Sequence, residues 1–344
     1  MRKIIFNMPF LRTGRLALLP VLFVLASCTV SFTASDAKNS SEWESFSATI
    51  KVMNWNLQTF FDGIFDGNEY SDYKSPKSGW SSDKYEERLE RLCSVIREMD
   101  ADVIVMEELE KEAQLQDIAN RLSGTFDFSS LYKHGLFARD EGSSIGCGIL
   151  SRLPIDSVSV HSLDVRTEGK APSMRPVIQF SISSRGKSLT IFANHWKSKS
   201  SGEAESEIWR KRQEALLARL IKKAGHSGQA ILACGDFNKD ILEFDIKEKN
   251  WEKSNLILHG KDDVKVYSPW ICENGSLANP GSYWYKNQWE RIDHFFAAGK
   301  IEVKDFYAES IGEWADKQGH PLRYQIWNGK GYSDHLPITC TVCF

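Results

Sequence analysis

An α/β domain built on one mixed β-sheet, or on two, is what this sequence predicts, and three observations carry the prediction. Strand-like and helix-like hydrophobic periods alternate from residue 49 onward with no convincing break in composition. Five short clusters of acids, amides and histidines stand at or just past the ends of runs that read as buried strands. The 344 residues are 42% hydrophobic and 12% aromatic, enough for a substantial core, which excludes a disordered chain.

Residues 1–27 stand apart from that domain. Arg2, Lys3, Arg12 and Arg15 give a positive start, followed by the apolar run 16–25. Ten helical residues reach about 15 Å, half of a hydrocarbon core, so the segment reads as a signal peptide and not as a membrane span. It closes in Leu25-Ala26-Ser27-Cys28, which resembles the lipobox of bacterial lipoproteins. That resemblance implies cleavage before Cys28, a lipid on the new N-terminal cysteine, and an exported protein anchored in the bacterial cell envelope. The Ser-rich remainder of 28–47 reads as a flexible tether, and 48–344 as the folded domain.

Within the domain, 49–55 is the first strand. Tyr85, Leu89, Leu92, Ile96 and Met99 recur at helical spacing and predict a helix over 83–99, with Asp83 and Glu86 placed as a capping box. A short apolar strand at 102–106 and a helix at 113–122 follow. Strands are expected at 146–151, 157–165, 177–183 and 189–193. A long helix at 204–223 carries Trp209, Leu216, Leu217, Leu220 and Ile221 on its apolar side. Strands at 229–234, 281–285, 291–297, 302–307 and 337–342 complete the pattern. The segment 62–82, rich in Gly, Ser, Asp and Tyr, reads as a long surface loop.

Removing residues 1–27 takes four of 43 basic residues and no acidic one, leaving 39 against 46 and a net charge of about −7. Bulk electrostatics therefore does not draw the protein to nucleic acid. A nucleic-acid substrate needs a local basic strip, for which Lys197, Lys199, Arg210, Lys211, Arg212, Arg219, Lys222 and Lys223 are candidates; the alternative is a solvated helix face. Apart from Cys28 there are six cysteines. Cys93 falls in a helix pattern and Cys147 and Cys234 in strand patterns, which argues for buried thiols. Cys340-x-x-Cys343 has half of a zinc spacing with no second half, and in a strand its two thiols point to opposite faces.

The five clusters are Asn54-Trp55-Asn56, Glu107-Glu108, Asn194-His195-Trp196, Gly235-Asp236-Phe237-Asn238, and Arg291-Ile292-Asp293-His294 taken with Ser333-Asp334-His335. Asp, Glu, Asn and His without cysteine favour a hard cation such as Mg²⁺, with Mn²⁺ or Ca²⁺ as alternatives, and an oxygen-rich substrate. Phosphate ester chemistry fits both. Asp236 and Asn238, one residue apart, leave a strand end on the same side, or else form an Asx-turn. A carboxylate beside His335 would fix its tautomer and favour its charged form.

In this order the clusters resemble the endonuclease/exonuclease/phosphatase superfamily, over about residues 48–344. The resemblance implies a four-layer α/β sandwich of two mixed β-sheets flanked by helices. It implies that Glu108 binds the metal, that Asn56 supports the metal site and that Asp334 is a further ligand. Asp236 would orient or deprotonate the attacking water, Asn238 hold a phosphate oxygen, and His195 contact the scissile phosphate. Asp293 would pair with His335, and Arg175, before Pro176, would contact phosphate. Two positions depart from the family pattern. Glu107 stands where Gln is usual, and alternation along the strand selects Glu108 as the ligand. Gln58 replaces both the Asp of apurinic endonucleases and the Arg of secreted deoxyribonucleases. His294 is expected to be structural, and His134, His161, His226, His259 and His320 belong to no motif.

The expected activity is that of a Mg²⁺-dependent phosphodiesterase, a monomeric exported nuclease acting on DNA or RNA. The basic strip with Trp196, Trp284 and Trp289 would hold the strand by charge and stacking. The alternatives are a phosphatase or sphingomyelinase-like enzyme on a small or lipid substrate, and a non-catalytic surface lipoprotein. The run Gln288-Trp289-Glu290-Arg291-Ile292-Asp293 lacks the Pro-Ala-Trp-Cys-Asp-Arg signature of inositol phosphatases.

Overall fold

The computed structural model describes residues 2–7, 48–124, 127, 130–163, 173–199, 202–225, 228–247 and 255–344. The tether, Cys28, His226 and all of the leader except 2–7 lie outside the described residues. In chain order the elements are β1 (Arg2–Asn7), β2 (Thr49–Phe60), α1 (Ser71–Lys74), α2 (Ser82–Met99), β3 (Val103–Leu109), α3 (Ala113–Ser123), β4 (His134–Arg139), β5 (Gly146–Ser151), β6 (Ile155–His161), β7 (Val177–Ser184) and β8 (Lys187–His195). There follow α4 (Glu203–Gly225), β9 (Ala230–Asp236), β10 (Asp245–Ile246), β11 (Leu256–Leu258), β12 (Val264–Val266), β13 (Tyr283–Tyr285), β14 (Gln288–Glu290), β15 (Asp293–Ala298), β16 (Glu302–Ala308) and β17 (Ile338–Cys343).

Two large mixed sheets result. One runs β1-β4-β5-β3-β2-β17-β16 and the other β15-β9-β8-β7-β6. Each has one parallel pair at its centre, β2 with β3 and β8 with β9. Parallel neighbours need a long crossover, which α2 supplies in the first case and α4 in the second. Alternation along β2 separates two cores. Ile50 and Val52 face the space between the sheets, with Val105, Ile191 and Leu232. Met53 and Trp55 face outward, where Leu92 and Ile96 of α2 and Ile118 of α3 cover them. Leu217 and Ile221 of α4 close the far side. The sandwich of two mixed sheets flanked by helices that the family resemblance implied is the fold observed.

The differences are local. Strands β1 and β4 have no counterpart in the expected pattern, nor do β14 and the three-stranded sheet β10-β11-β12. The cap of α2 is Ser81, whose hydroxyl accepts from the Lys84 N–H, in place of Asp83; Glu86 pairs instead with Arg121. The segment 62–82 is more than a surface loop, for it contains α1 and buries Tyr73 and Trp80 in the outer core. All six cysteines from Cys93 onward are free thiols, and only Cys272 is not buried.

One buried side chain fixes the strand end that matters for the site. Arg88 of α2 is fully buried. Its guanidinium donates to the carbonyls of Leu57, Gln58 (2.7 Å), Thr59 (3.2 Å) and Tyr332 (3.3 Å), and it lies 3.9 Å from the centre of the Tyr324 ring. Gln58 and Thr59 have φ of 52° and 49°, where a non-glycine residue is disfavoured. The four carbonyls held by Arg88 keep the chain in that turn, with Asn56 and the Thr59 N–H facing the end of β3.

Candidate active site

The ends of the central strands of both sheets meet at one edge of the sandwich. Across the second sheet, Asp236 is in register with His195 on one side and with Asp293 on the other. Gly235 makes that tight pairing possible: a Cβ there would lie 1.9 Å from the Asn194 carbonyl oxygen. In the first sheet Asn56 is in register with Glu107. Alternation puts Glu107, with Val103 and Val105, on the inner face, and it would send Glu108 toward the helices. A register shift between Glu107 and Leu109 and a φ of 68° at Glu108 turn that side chain back into the cleft. Glu108 thus reaches the site through a bulge, not through the alternation the sequence argument used.

The two sheets are joined at this edge by Asn56. Its Nδ2 donates to Asp236 Oδ2 at 3.0 Å and to Glu108 Oε1 at 3.4 Å, while its Oδ1 accepts from the Gln58 N–H at 2.9 Å. The Thr59 N–H donates to Glu108 Oε2 at 2.6 Å. Asn238, at φ 47°, donates its backbone N–H to Asp236 Oδ1 at 2.8 Å and its side-chain amide to Oδ2 at 3.0 Å. His195 Nε2 lies 3.7 Å from Glu108 Oε1 and 3.7 Å from Asp236 Oδ2. Both are beyond hydrogen-bond reach, which leaves that nitrogen for a substrate oxygen. On the other side His335 Nδ1 is 2.9 Å from Asp293 Oδ2, and the Tyr283 ring lies 4.8 Å from the imidazole.

These groups titrate away from their ordinary values in opposite directions. Burial, followed by the positive charges of Arg175 and His335, pushes His195 well below the usual histidine range. Burial alone would lower His335 too, but the charge and hydrogen bond of Asp293, with Asp236 and Asp334 nearby, raise it well above that range. Burial thus favours the neutral form of one imidazole, and Asp293 the charged form of the other. Burial pushes Asp236 up to about 7, against the pull of His335 and of its hydrogen bonds from Asn238 and Asn56. Glu107 is fully buried, and burial with the nearby Asp293 and Asp236 raises it well above the carboxylate range. Its Oε2 accepts from Asn54 Nδ2 at 3.4 Å.

A cleft of about 820 Å³ opens over this edge, and Asn56, Glu108, His195, Asp236, Asn238, Asp334 and His335 line it. Asp293 sits behind His335 and is fully buried. Arg175 is half-buried beside the cleft, where its guanidinium meets the Tyr70 hydroxyl. The donors around the cleft are carboxylates, amides and imidazoles, with no thiol. That set fits a hard divalent cation, and the carboxylates on the cleft wall are those of Glu108, Asp334, Asp236, Asp72 and Glu290.

Several expected features fall elsewhere. Of the eight cations proposed as a strip only Lys199 lines the cleft. Arg210 is buried, bound to Glu207 and to the Lys197 carbonyl, and Lys222 pairs with Asp262. A helix faces solvent with some of them and its own core with the rest, so charge spacing alone cannot assemble a binding strip. Trp196 is fully buried against Phe237, and Trp284 and Trp289 pack with His320. Gln58 clamps the backbone of Tyr324 through both its amide atoms, at 2.8 and 3.1 Å. His294 donates its Nε2–H to the Lys239 carbonyl at 2.8 Å and lies against the Phe237 ring, a structural place. Tyr70, Tyr283, Tyr285, Arg323 and Trp327 also stand on the cleft wall; they come from segments with no motif, so no sequence signal marks them.

The sequence profile of the Endonuclease/Exonuclease/phosphatase family matches residues 53–335. No curated protein matches the chain. Among solved structures, truncated TDP2 from Caenorhabditis elegans superposes with a TM-score of 0.54 at 15% identity, over 86% of this chain and 98% of that one. TDP2 from D. rerio, solved with a single-strand DNA product, gives 0.54 at 17% identity over 87% and 100%. The Bacteroides thetaiotaomicron mannosyl-6-phosphatase Bt3783 gives 0.52 at 17% identity over 86% and 100%. At these identities the likeness concerns the fold.

Proposed function

The chain belongs to the endonuclease/exonuclease/phosphatase family, and from that premise we propose that it is a Mg²⁺-dependent phosphodiesterase cleaving single-stranded DNA or RNA outside the cytoplasm. The observation that carries the substrate class is the rim of the cleft. Tyr70, Tyr285 and Trp327 are 39%, 48% and 66% exposed there, and Lys199 and Arg323 stand among them. Exposed aromatic faces beside cations suit unpaired bases on either side of a bound phosphate. They have no evident use for a small sugar phosphate.

A divalent cation held by Glu108 and Asp334 would neutralise the phosphate and the leaving oxygen. The chain's own groups do the rest. Asn56 and the Thr59 N–H fix the Glu108 carboxylate. Asp236, held by Asn56 and Asn238, accepts the proton of the attacking water. His195 Nε2 meets a phosphoryl oxygen, and the His335 imidazolium, anchored by Asp293, takes up negative charge that grows as the bond to water forms.

The substrate claim is checked by offering the purified protein a single-stranded oligonucleotide, the matching duplex and mannose 6-phosphate, each with Mg²⁺. Cleavage of the single strand at least about tenfold faster than the duplex is expected, since unstacking a base costs a few kcal/mol, with little release of phosphate from the sugar. Rapid hydrolysis of the monoester without strand cleavage would replace the nuclease by a phosphatase.

We further propose export and anchoring through a lipid on Cys28, supported by the leader and lipobox pattern. Cleavage before Cys28 would remove β1 and leave β4 as the edge of its sheet. Cys28→Ser is expected to move the protein from the membrane to the soluble fraction of its cells; unchanged fractionation would remove the anchor.

A further inference from the structure

A second group of carboxylates lies apart from the active site, where 62–82 passes the end of β3. One carboxylate oxygen from each of Asp66, Glu69 and Glu110 lies within 4.8 Å of the others. Ligands on opposite sides of a Ca²⁺ ion, at about 2.4 Å each, are about 4.8 Å apart, so three such oxygens can share one ion. Glu69 is 4% exposed and Glu110 is fully buried. Glu110 Oε2 accepts from the Asp62 N–H at 2.8 Å, yet its Oε1 is buried with no hydrogen-bond donor. A buried carboxylate oxygen without a donor is costly and marks a place for a cation.

Lys111 supplies part of that charge. Its Nζ lies 2.8 Å from Asp62 and 3.1 Å from Asp66, but 3.6 Å from Glu110 Oε1. Glu69 accepts from the Asp66 and Gly67 N–H groups at 2.6 and 3.1 Å, so one ammonium stands against four carboxyl groups. We propose that Asp66, Glu69 and Glu110 bind a calcium ion that fastens the 62–82 segment to β3. Calcium fits better than magnesium because the donors come from a bent loop with no octahedral order, and Ca²⁺ accepts irregular oxygen shells completed by water. The same segment carries Tyr70, Asp72 and Tyr73 on the cleft wall, so the ion stiffens a wall of the substrate cleft. The inference is independent of the substrate proposed above.

The test separates this ion from one in the active site. Ca²⁺ at 1 mM is expected to raise the melting temperature of the wild type and of Glu108→Gln alike, by at least about 3 °C. Asp66→Asn and Glu69→Gln should lose most of that rise. No rise in the wild type overturns the proposal. So does a rise that Glu108→Gln abolishes and Asp66→Asn retains, because the ion is then in the active site. Should Glu69→Gln fail to fold, Tb³⁺ gives a second readout. Trp80 donates its indole N–H to the Asp62 carbonyl at 2.6 Å, close enough to sensitise Tb³⁺ emission. Emission should be bright in Glu108→Gln and weak in Asp66→Asn; equal emission in the two contradicts the assignment.

Discussion

Asp236→Asn is expected to lower kcat on a phosphodiester by at least about 10²-fold while leaving the fold intact. The carboxylate is the hub of the site. It receives Nδ2 of Asn56 and two donors from Asn238, and it lies in register between His195 and Asp293. An asparagine keeps the shape but turns an amide donor toward donors and cannot accept the proton of a water. The companion change, Asp293→Asn, carries the pH signature. His335 is raised because Asp293 holds its charged form. The account needs that charge, so activity persists above the ordinary histidine range and falls as pH rises through the raised value. Without the Asp293 charge the His335 value drops, and the alkaline fall of the pH–rate profile should move to lower pH. A profile of unchanged shape in Asp293→Asn would remove the imidazolium from the mechanism.

Glu108→Gln should cost at least about 10²-fold, and Glu107→Gln no more than a few-fold. The two neighbours differ only in environment. Glu108 lines the cleft, held by Asn56 and the Thr59 N–H, so losing its charge removes an anionic oxygen from the cation's place. Glu107 is buried outside the cleft lining, burial with the nearby Asp293 and Asp236 favours its protonated form, and glutamine keeps its shape. The stability of Glu107→Gln should exceed that of the wild type at alkaline pH. A group raised in the folded state favours folding below its unfolded value, near 4.3, and that advantage is lost as pH rises through the folded value; a glutamine has no such loss. Rates measured side by side decide it: a large loss in Glu107→Gln with a small one in Glu108→Gln would exchange their roles.

The sequence displayed the parts of this site that depend on strand endings. Buried apolar runs that stop at a polar residue mark where β8 and β9 end, and His195 and Asp236 are their last residues; Asp293 instead opens β15, and Asn56 lies inside β2, which runs on to Phe60. Side-chain direction at a bulge was not legible. Glu108 enters the cleft through a positive φ that no local pattern announces. Nor were contacts over long separations. Gln58, a departure from the family pattern, clamps Tyr324, 266 residues away, and Arg88 of α2 holds the turn at 57–59. Strand β4 has a Gly and two aliphatic residues in six, too short a signal without its partner β5. Charge spacing misled most, since Arg210 turned inward to Glu207.

The central claim is a cation-dependent phosphoester hydrolase working at this cleft, and one assay reaches it directly. Hydrolysis of bis-p-nitrophenyl phosphate by the purified protein is followed with Mg²⁺, after excess EDTA, and after Mg²⁺ is restored. Turnover that EDTA abolishes and Mg²⁺ recovers is expected in the wild type, with at least about 10²-fold less in Asp236→Asn under the same conditions. Turnover that continues in EDTA, or that Asp236→Asn leaves intact, would contradict it.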